Sequence, residues 1–310
     1  MPRPHPMSDV RVAASTRDSI LAAVETVGDA WSWLILREAV LHRVQRFGEF
    51  QERLGISRAT LTARLNQLDR GAVLVRDPAA PRCYTLTEAG EDFFGCLMVA
   101  QHWGERWRPL SSAALSITHR ELGHRVSAVL CCVACGVPLR AHDVHAERPA
   151  ESIAIAQQDA RWRAPDLGLL ERARPCSIAH AMAVAGDRWS FLIHREFFFG
   201  VHRFDELQRR LGVGPNVLST RLRRSISLGM LRKVEYQEWP VRHEYRLTDK
   251  GLDYYPIPLS LGMWGRRWLT PAPGEPRLTH ACGAEVQAKL SCEQCDQEIT
   301  RADVDIAAPV

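Results

Sequence analysis

Two nearly identical stretches of sequence decide the fold. GDAWSWLILREAV occupies residues 28–40, and GDRWSFLIHREFF occupies residues 186–198. Eight of the first eleven positions are identical between the two stretches. Such a match within one chain indicates an internal duplication.

The duplication continues well beyond these stretches. Residues 47–65 match 204–222, residues 84–90 match 245–251, and Trp103 and Trp107 match Trp264 and Trp268. The matches predict the following organisation: a disordered tail (1–15), a first domain (16–112), a first Cys/His tail (113–137), a linker (138–174), a second domain (175–271) and a C-terminal Cys/His tail (272–310).

Composition is that of a globular chain of about two domains. The 310 residues are 46% hydrophobic and 25% charged, with a net charge of +4. No apolar run approaches the roughly 18 residues of a membrane span, and the first residues have no apolar signal core. We therefore expect a cytoplasmic protein with no membrane partner. Nine cysteines in such a chain favour free thiols or a metal site over disulfides.

Hydrophobic spacing predicts a helix-turn-helix in each copy. Trp31, Leu34 and Ile35 recur at helical spacing, and a short helix is predicted from Phe47 to Leu54. Ser57 is a suitable N-cap for a second helix that buries leucines. In the second copy Gly214 takes the cap position and Pro215 the first helical turn. Two short helices joined by a tight turn form this motif.

A β-hairpin, or wing, follows the second helix. In the second copy two β-type segments flank a polar loop with Pro240, whereas the first copy is four residues shorter there. A helix rich in tryptophan closes each copy. The predicted fold class is therefore mainly α with small β wings (α+β): two winged helix-turn-helix domains, each followed by a small Cys/His tail.

Each copy resembles the HxlR-type winged helix-turn-helix transcriptional regulators of bacteria. The resemblance rests on the Gly-Asp-x-Trp start, the Leu-Ile-x-Arg-Glu helix, the Leu-x-x-Arg-Leu pattern of the second helix, and residues 244–251 after the wing. It implies double-stranded DNA as partner and a small-molecule or redox effector that the sequence does not identify. Family members carry one such domain and dimerise, so this chain would hold both halves of a pseudo-dimer; further dimerisation stays open.

The second helix of each motif is the expected reading helix, because its N-terminal part faces base edges in the major groove. In the second copy the outward face carries Asn216, Thr220, Arg223 and Ser227, flanked by Val217, Ser219 and Arg224. In the first it carries Ala59, Ala63, Asn66 and Arg70, flanked by Thr60, Thr62 and Gln67. Asparagine pairs with adenine and arginine with guanine. The alternative is a solvated helix face.

Local charge supports DNA binding. Residues 46–85 have seven arginines against four carboxylates, and residues 203–246 have nine arginines and one lysine against five carboxylates. Lys and Arg contacts with phosphates supply non-specific affinity. The expected phosphate or minor-groove contacts are Arg58, Arg64 and Arg70 in the first copy and Arg242 and His243 in the second wing, with Arg76 and Arg82 as weaker candidates in the short first wing.

Both tails carry metal-type residues. His280, Cys282, Cys292 and Cys295 form H-x-C-x9-C-x2-C, which suits a tetrahedral zinc site. In the first tail Cys132 and Cys135 align with Cys292 and Cys295, and His119 or His124 would complete the set. The alternative is a small hairpin with reduced thiols.

Cys176 is a separate case. The resemblance implies that a cysteine just before the first helix of the domain senses oxidants or electrophiles. Sensing needs an accessible thiolate, and the alternative is a buried, inert cysteine.

The sequence favours one of three function classes. The main hypothesis is a transcriptional regulator that acts as a pseudo-dimer on an asymmetric operator. A protein-interaction adaptor is the alternative, since the first copy has a shortened wing and alanines on its reading face. No enzymatic activity is expected, because no phosphate loop, dinucleotide fingerprint or catalytic triad is found. We interpret Arg37–Glu38 and Arg195–Glu196 as the charged edge of a packed helix, not as acid/base pairs.

Overall fold

A computed structural model gives the architecture and describes residues 19–108, 115–147, 176–269 and 275–307. The predicted disordered tail lies outside these residues, as does the predicted linker from residue 148 to 174. The first half comprises α1 (Ser19–Val27), α2 (Ala30–His42), α3 (Phe47–Leu54), α4 (Arg58–Arg70), β1 (Leu74–Arg76), β2 (Tyr84–Leu86), α5 (Glu88–Asp92), α6 (Phe94–Trp107), β3 (Ser116–His119), β4 (Ala128–Cys132) and β5 (Val144–Glu147).

The second half repeats this order. In chain order it comprises α7 (Ser177–Ala185), α8 (Arg188–Phe198), α9 (Phe204–Leu211), α10 (Pro215–Ser227), β6 (Leu231–Gln237), β7 (Arg242–Leu247), α11 (Asp249–Asp253), α12 (Pro256–Trp268), β8 (Arg277–His280), β9 (Ala288–Cys292) and β10 (Val304–Ala307). A 3-10 turn at Arg301–Asp303 precedes β10. The helix-turn-helix motifs are α3–α4 and α9–α10, and the wings are β1–β2 and β6–β7.

Capping determines where the main helices begin. The Asp29 carboxylate accepts hydrogen bonds from the backbone N–H groups of Trp31 and Ser32 at the start of α2, and Asp187 does the same for α8. Ser57 caps α4 through the Thr60 N–H, as predicted, while Gly214 is the N-cap residue of α10 and Pro215 lies in its first turn. The predicted α3 has the observed bounds, and the predicted α+β fold with winged motifs is confirmed.

The motif turn needs glycine. Gly55 is the C-cap residue of α3 with φ +59°, and Gly212 is the C-cap residue of α9 with φ +60°. This left-handed conformation carries no steric cost for glycine and turns the chain sharply into the reading helix. Both copies therefore present that helix in the same way.

The two copies pack reciprocally about a pseudo-two-fold axis. The Trp103 indole donates to the carbonyl of Lys250 (3.2 Å), and its counterpart Trp264 donates to the carbonyl of Ala89 (2.8 Å). Contacts in which two residues exchange roles are the mark of an isologous interface. The equivalent aromatic rings of Trp33 and Phe191 stack near the axis, with centroids 6.3 Å apart.

The closing helices complete this reciprocity. The Trp107 indole donates to the Asp253 carboxylate (2.7 Å), and the Trp268 indole donates to the Asp92 carboxylate (2.6 Å). α6 of the first copy lies against α7 of the second, and α12 lies against α1. The first helix of each domain is therefore an interface helix.

The two tails are interlocked. Their strands pair with strands of the other tail, all antiparallel: β3 with β10, β5 with β8, and β4 with β9. Leu130 of β4 lies opposite Leu290 of β9. The tails therefore form one joint unit instead of two separate hairpins.

Two sequence interpretations need correction. β5 lies within the segment predicted as linker from residue 138, because this stretch pairs with β8, so the first tail extends to residue 147 at least. The Arg37–Glu38 and Arg195–Glu196 pairs are not a charged edge: all four residues are at most 3% exposed. α2 is buried along nearly its whole length, which the amphipathic reading did not capture.

Across the described parts of the chain, no single helix has the length and apolar character to cross a membrane. α1 and α2 together meet these criteria by length and composition alone, with a bend of 78° at their junction.

Candidate nucleic-acid interface and cysteine clusters

The reading helix of the second copy presents a polar face to solvent. Asn216, Thr220 and Arg223 are exposed, while Leu218 and Leu222 on the opposite side are at most 1% exposed. The Thr220 hydroxyl donates to the Asn216 carbonyl (2.8 Å). The spacing of three and four residues places these three side chains along one stripe of α10.

Arg224 does not belong to the exposed stripe, because its side chain is half-buried against α7. Its guanidinium donates to the carbonyl of Ala183 near the end of α7 (2.9 Å). At the equivalent position of the first copy, the Gln67 amide donates to the carbonyls of Glu25 and Thr26 at the end of α1. Both side chains bind the last turn of the first helix, so this position anchors the reading helix to the interface helix. Ser219 is half-buried beside it.

A second anchor joins the reading helix to the repeated Gly-Asp line. The Arg221 Nε donates to the Asp187 carboxylate (3.0 Å), and Arg64 forms the equivalent ion pair with Asp29 (3.0 Å). Burial raises the pKa of Asp29, and the charge of Arg64 opposes that rise. Arg64 therefore positions α4 and is not available as the predicted phosphate contact. The repeated Asp and Arg were visible in the sequence, but their pairing was not.

The wings of the two copies differ. Arg203 stacks over Tyr236 with its guanidinium carbon 4.5 Å from the ring centroid, which ties the second wing to the start of α9. Arg242 is exposed and His243 is half-buried at the start of β7. Trp239 at the tip is 89% exposed, a candidate contact that the sequence argument missed.

We call the helix-turn-helix and wing of each copy its head. The first head offers fewer side chains for base contacts than the second. Arg58, Thr62 and Arg70 are exposed on α4, together with the two alanines of its face. Asn66 is exposed as well, but its side-chain oxygen accepts a hydrogen bond from Arg76 of the short wing (3.1 Å). This contact occupies one of the two acceptor positions of the amide oxygen.

The cysteine and histidine residues group across the tails. His280 and Cys282 lie with Cys132 and Cys135 of the first tail, whereas Cys292 and Cys295 lie with His124. The structure therefore does not bring the four predicted ligands of the second tail together, because the crossed strand pairing separates the two halves of that motif. These clusters have the residue types and spacing to hold a metal ion.

Cys176 lies at the contact between the copies. It caps α7, its sulfur accepting from the Ala179 N–H (3.3 Å), and the Arg37 guanidinium of the first copy donates to it (2.7 Å). The residue is 5% exposed. The sulfur therefore lies between a helix N-terminus and a buried arginine, and its burial restricts the access of oxidants to it.

Comparison with known proteins agrees with this geometry. The HxlR-like helix-turn-helix family matches residues 26–112 and residues 184–273. A helix-turn-helix-type transcriptional regulator of Mycobacterium tuberculosis is 42% identical over 131 residues, covering 41% of this chain and 82% of the relative. A similarly named regulator of Synechocystis is 33% identical over 100 residues, covering 32% and 74%. YvaP of Bacillus subtilis is 34% identical over 93 residues, covering 30% and 86%.

Proposed function

Because the chain belongs to the HxlR-like helix-turn-helix family, we propose that it is a transcriptional regulator that binds double-stranded DNA with both heads, as a pseudo-dimer within one chain. The observation that carries this proposal is the reciprocal packing of the two copies, in which Trp103 and Trp264 exchange roles. Two winged helices related by a two-fold axis are the usual arrangement for binding two half-sites.

The two heads divide the work in this proposal. The second head reads bases through Asn216, Thr220 and Arg223, which suit adenine and guanine edges. Arg242, His243 and Trp239 of its wing contact the adjacent backbone or minor groove. The first head holds phosphates through Arg58 and Arg70, with Thr62 beside them. The adaptor alternative is not favoured, since the relatives are named as transcriptional regulators.

A gel-shift assay with the DNA upstream of the protein's own gene tests base reading. Asn216→Ala or Arg223→Ala should each weaken binding to the cognate site by about 1–3 kcal/mol and relax base preference. Arg277→Ala is the matched control, because it removes an exposed arginine from a tail strand. Equal losses on cognate and random DNA would reduce these residues to phosphate contacts. Binding to no DNA at all would favour the adaptor.

We also propose that the regulator acts in the cytoplasm, without catalytic activity, and that Cys176 is its redox input. Hydrogen peroxide would transfer one oxygen to the thiol: the S–O bond forms, the O–O bond breaks and water leaves, giving a sulfenic acid. The oxidised sulfur would no longer hold Arg37 in the same way, so the packing of the two copies would change.

The redox proposal is tested by operator affinity with and without peroxide. Peroxide should change the affinity of the wild type, thiol reductant should restore it, and Cys176→Ser should abolish the response. Cys83→Ser should keep the response, since Cys83 lies in the first wing, away from this contact. If wild-type affinity does not respond to peroxide, Cys176 is an inert buried thiol.

The cofactor that we propose is zinc. Thiolate and imidazole ligands within one another's reach are the set that this metal takes in structural sites, and the tails supply such groups in two places.

A further inference from the structure

The crossed pairing of the tails brings each Cys-x-x-Cys turn to the other tail. Cys132 ends β4 and Cys292 ends β9, and these two strands pair with each other. β8, which ends at His280, pairs with β5 of the first tail, and β3, which ends at His119, pairs with β10 of the second. Each Cys-x-x-Cys turn therefore meets a histidine-bearing loop that belongs to the other half of the chain.

The two Cys-x-x-Cys turns have the same backbone form. The N–H of Gly136 donates to the Cys132 carbonyl (2.8 Å), and the N–H of Asp296 donates to the Cys292 carbonyl (2.8 Å). Gly136 has φ +75° and Asp296 has φ +56°. A left-handed residue directly after the second cysteine closes the turn, and asparagine or aspartate tolerates that conformation better than other side chains do. Asp296 keeps this conformation in place of a glycine, so the turn geometry is the same at both places.

The first cluster has the dimensions of a tetrahedral site. With Zn–S of about 2.3 Å and Zn–N of about 2.0–2.1 Å, tetrahedral angles put two sulfurs about 3.8 Å apart and a sulfur and a nitrogen about 3.6 Å apart. The Cys132 and Cys282 sulfurs are 4.0 Å apart. The His280 Nδ1 lies 3.5 Å from the Cys135 sulfur and 3.3 Å from the Cys282 sulfur. These three distances are close to the edges of such a tetrahedron.

Ring nitrogens of His124, in the second cluster, and of the neighbouring His119 lack a hydrogen-bond partner. The His124 Nδ1 contacts the Arg125 carbonyl (3.0 Å), which leaves Nε2 for a ligand, and this Nε2 is buried with no hydrogen bond. A ligating histidine usually donates its other N–H in this way. His119 is 4% exposed, and both of its ring nitrogens lack a hydrogen-bond partner. Its ring centroid lies 5.5 Å from that of His124, and it occupies the end of β3 as His280 occupies the end of β8.

We infer that the tails bind two zinc ions, each shared between the two halves of the chain. This inference rests on the proposed zinc binding and specifies it. One ion takes Cys132 and Cys135 with His280 and Cys282; the other takes Cys292 and Cys295 with His119 and His124. The thiols lose their protons to solvent as the metal binds. Each ion then fastens one half of the chain to the other beside the strand pairs, so the metal stabilises the association of the two heads.

Metal content of paired variants distinguishes crossed from separate sites. The wild type should contain two zinc ions per chain. Cys135→Ser with Cys282→Ser changes ligands of one crossed site, so one ion should remain. Cys282→Ser with Cys292→Ser changes one ligand in each crossed site, so both ions should be lost or severely weakened. Cys83→Ser, a cysteine outside the clusters, should keep two ions.

The opposite pattern would overturn the inference. If one ion survives Cys282→Ser with Cys292→Ser, and none survives Cys135→Ser with Cys282→Ser, each tail binds its own metal. Freshly purified wild type without any zinc would remove the proposed cofactor, and with it this inference. Gel shifts on the same preparations report DNA binding separately, so loss of metal and loss of the regulatory function are told apart.

A wild-type measurement covers the case in which the variants do not fold. After removal of metal by a chelator, a mild disulfide-forming oxidant should link Cys282 to Cys132 or Cys135, because these sulfurs are within reach. Peptide mapping by mass spectrometry identifies the link, and added zinc should suppress it. A Cys282 link to Cys292 or Cys295 instead would contradict the crossed arrangement.

Discussion

At the scale of single residues, the repeated Arg-Glu pair is a buried ion pair at the centre of each copy. The Glu38 carboxylate accepts hydrogen bonds from the Arg37 Nε (3.0 Å) and Nη2 (2.6 Å), and its second oxygen accepts from Arg53. The Arg37 guanidinium also contacts Cys176 of the other copy. This buried pair therefore joins α2 to α3 and to the interface between the copies.

The pair predicts a pH-dependent stability. Burial alone would raise the pKa of Glu38, but Arg37 and Arg53 outweigh it, and the pKa lies below its ordinary value. A lowered carboxyl pKa stabilises the native state above the ordinary glutamate range, about 4.3, and that contribution is lost as the pH falls through the folded value. Glu38→Gln leaves the buried Arg37 charge without its carboxylate and should cost about 3–5 kcal/mol at pH 7.

Urea unfolding at pH 7 and at pH 4 or below measures the difference in free energy of unfolding between the wild type and Glu38→Gln. This difference should be smaller at the lower pH, because Glu38 of the wild type is then increasingly protonated. Glu52→Gln, an exposed carboxylate of α3, should change stability by no more than about 0.5 kcal/mol. A Glu38→Gln deficit that stays constant with pH would contradict the ion-pair account.

The exposure of individual candidate residues was predictable where helical period alone decides it. Asn216, Thr220 and Arg223 follow from the period of α10. Arg224 does not, because whether a flanking arginine reaches DNA or a neighbouring helix depends on where α7 ends. The sequence pattern contains no information about that distance.

At the scale of elements, the helix-turn-helix was predictable because its caps and its leucine spacing are local signals. α1 and α7 are not identified by the sequence patterns. Their sequences, SILAAVETV and SIAHAMAVA, are apolar on several sides. They pack on the other copy as well as on their own, so no polar face marks them as surface helices.

The interface helices predict a glycine requirement. A Cβ added at Gly104 of α6 would overlap the backbone carbonyl of Ser177 at the start of α7, and one at Gly265 of α12 would overlap that of Ser19. Since both obstacles are backbone atoms, Gly104→Ala should destabilise the protein by about 1–3 kcal/mol. Gly95→Ala is the control on the same helix, because nothing lies within 4 Å of its added Cβ.

Thermal unfolding of the two variants measures the difference. Gly95→Ala should be neutral or stabilising by up to about 1 kcal/mol, since alanine favours helix over glycine. If Gly104→Ala unfolds at the same temperature as Gly95→Ala, the close approach of α6 to α7 does not exist in solution.

At the scale of the whole molecule, the tails show where sequence reasoning ends. The sequence identified the Cys and His residues of the tails as candidate metal ligands by their residue type. Their grouping could not be predicted, because the paired strand residues are at least 130 positions apart. A hairpin within one tail would satisfy the same local pattern. The Arg301 guanidinium of the second tail donates to the carbonyls of Val40 and Leu41 at the end of α2, so the crossing also fastens this tail to the opposite head.

The difference between the two heads predicts the symmetry of the operator. A homodimer has two identical reading helices and favours a palindrome, with half-sites one helical turn, about 34–36 Å, apart. Here the equivalent outward positions carry Ala59 against Asn216, Ala63 against Thr220, and Asn66 against Arg223. The two half-sites should therefore be specified unequally.

Selection of bound sequences from a random DNA pool tests this asymmetry. One half-site should be strongly specified by the second head. The other should be loosely specified, because exposed Arg58 and Arg70 are expected to contact phosphates, which carry no direct sequence information. Arg58→Ala should accordingly weaken cognate and random DNA alike and reduce the salt dependence of binding by about one ion. A palindrome with equal information in both halves would mean that two chains pair and read the operator through their second heads.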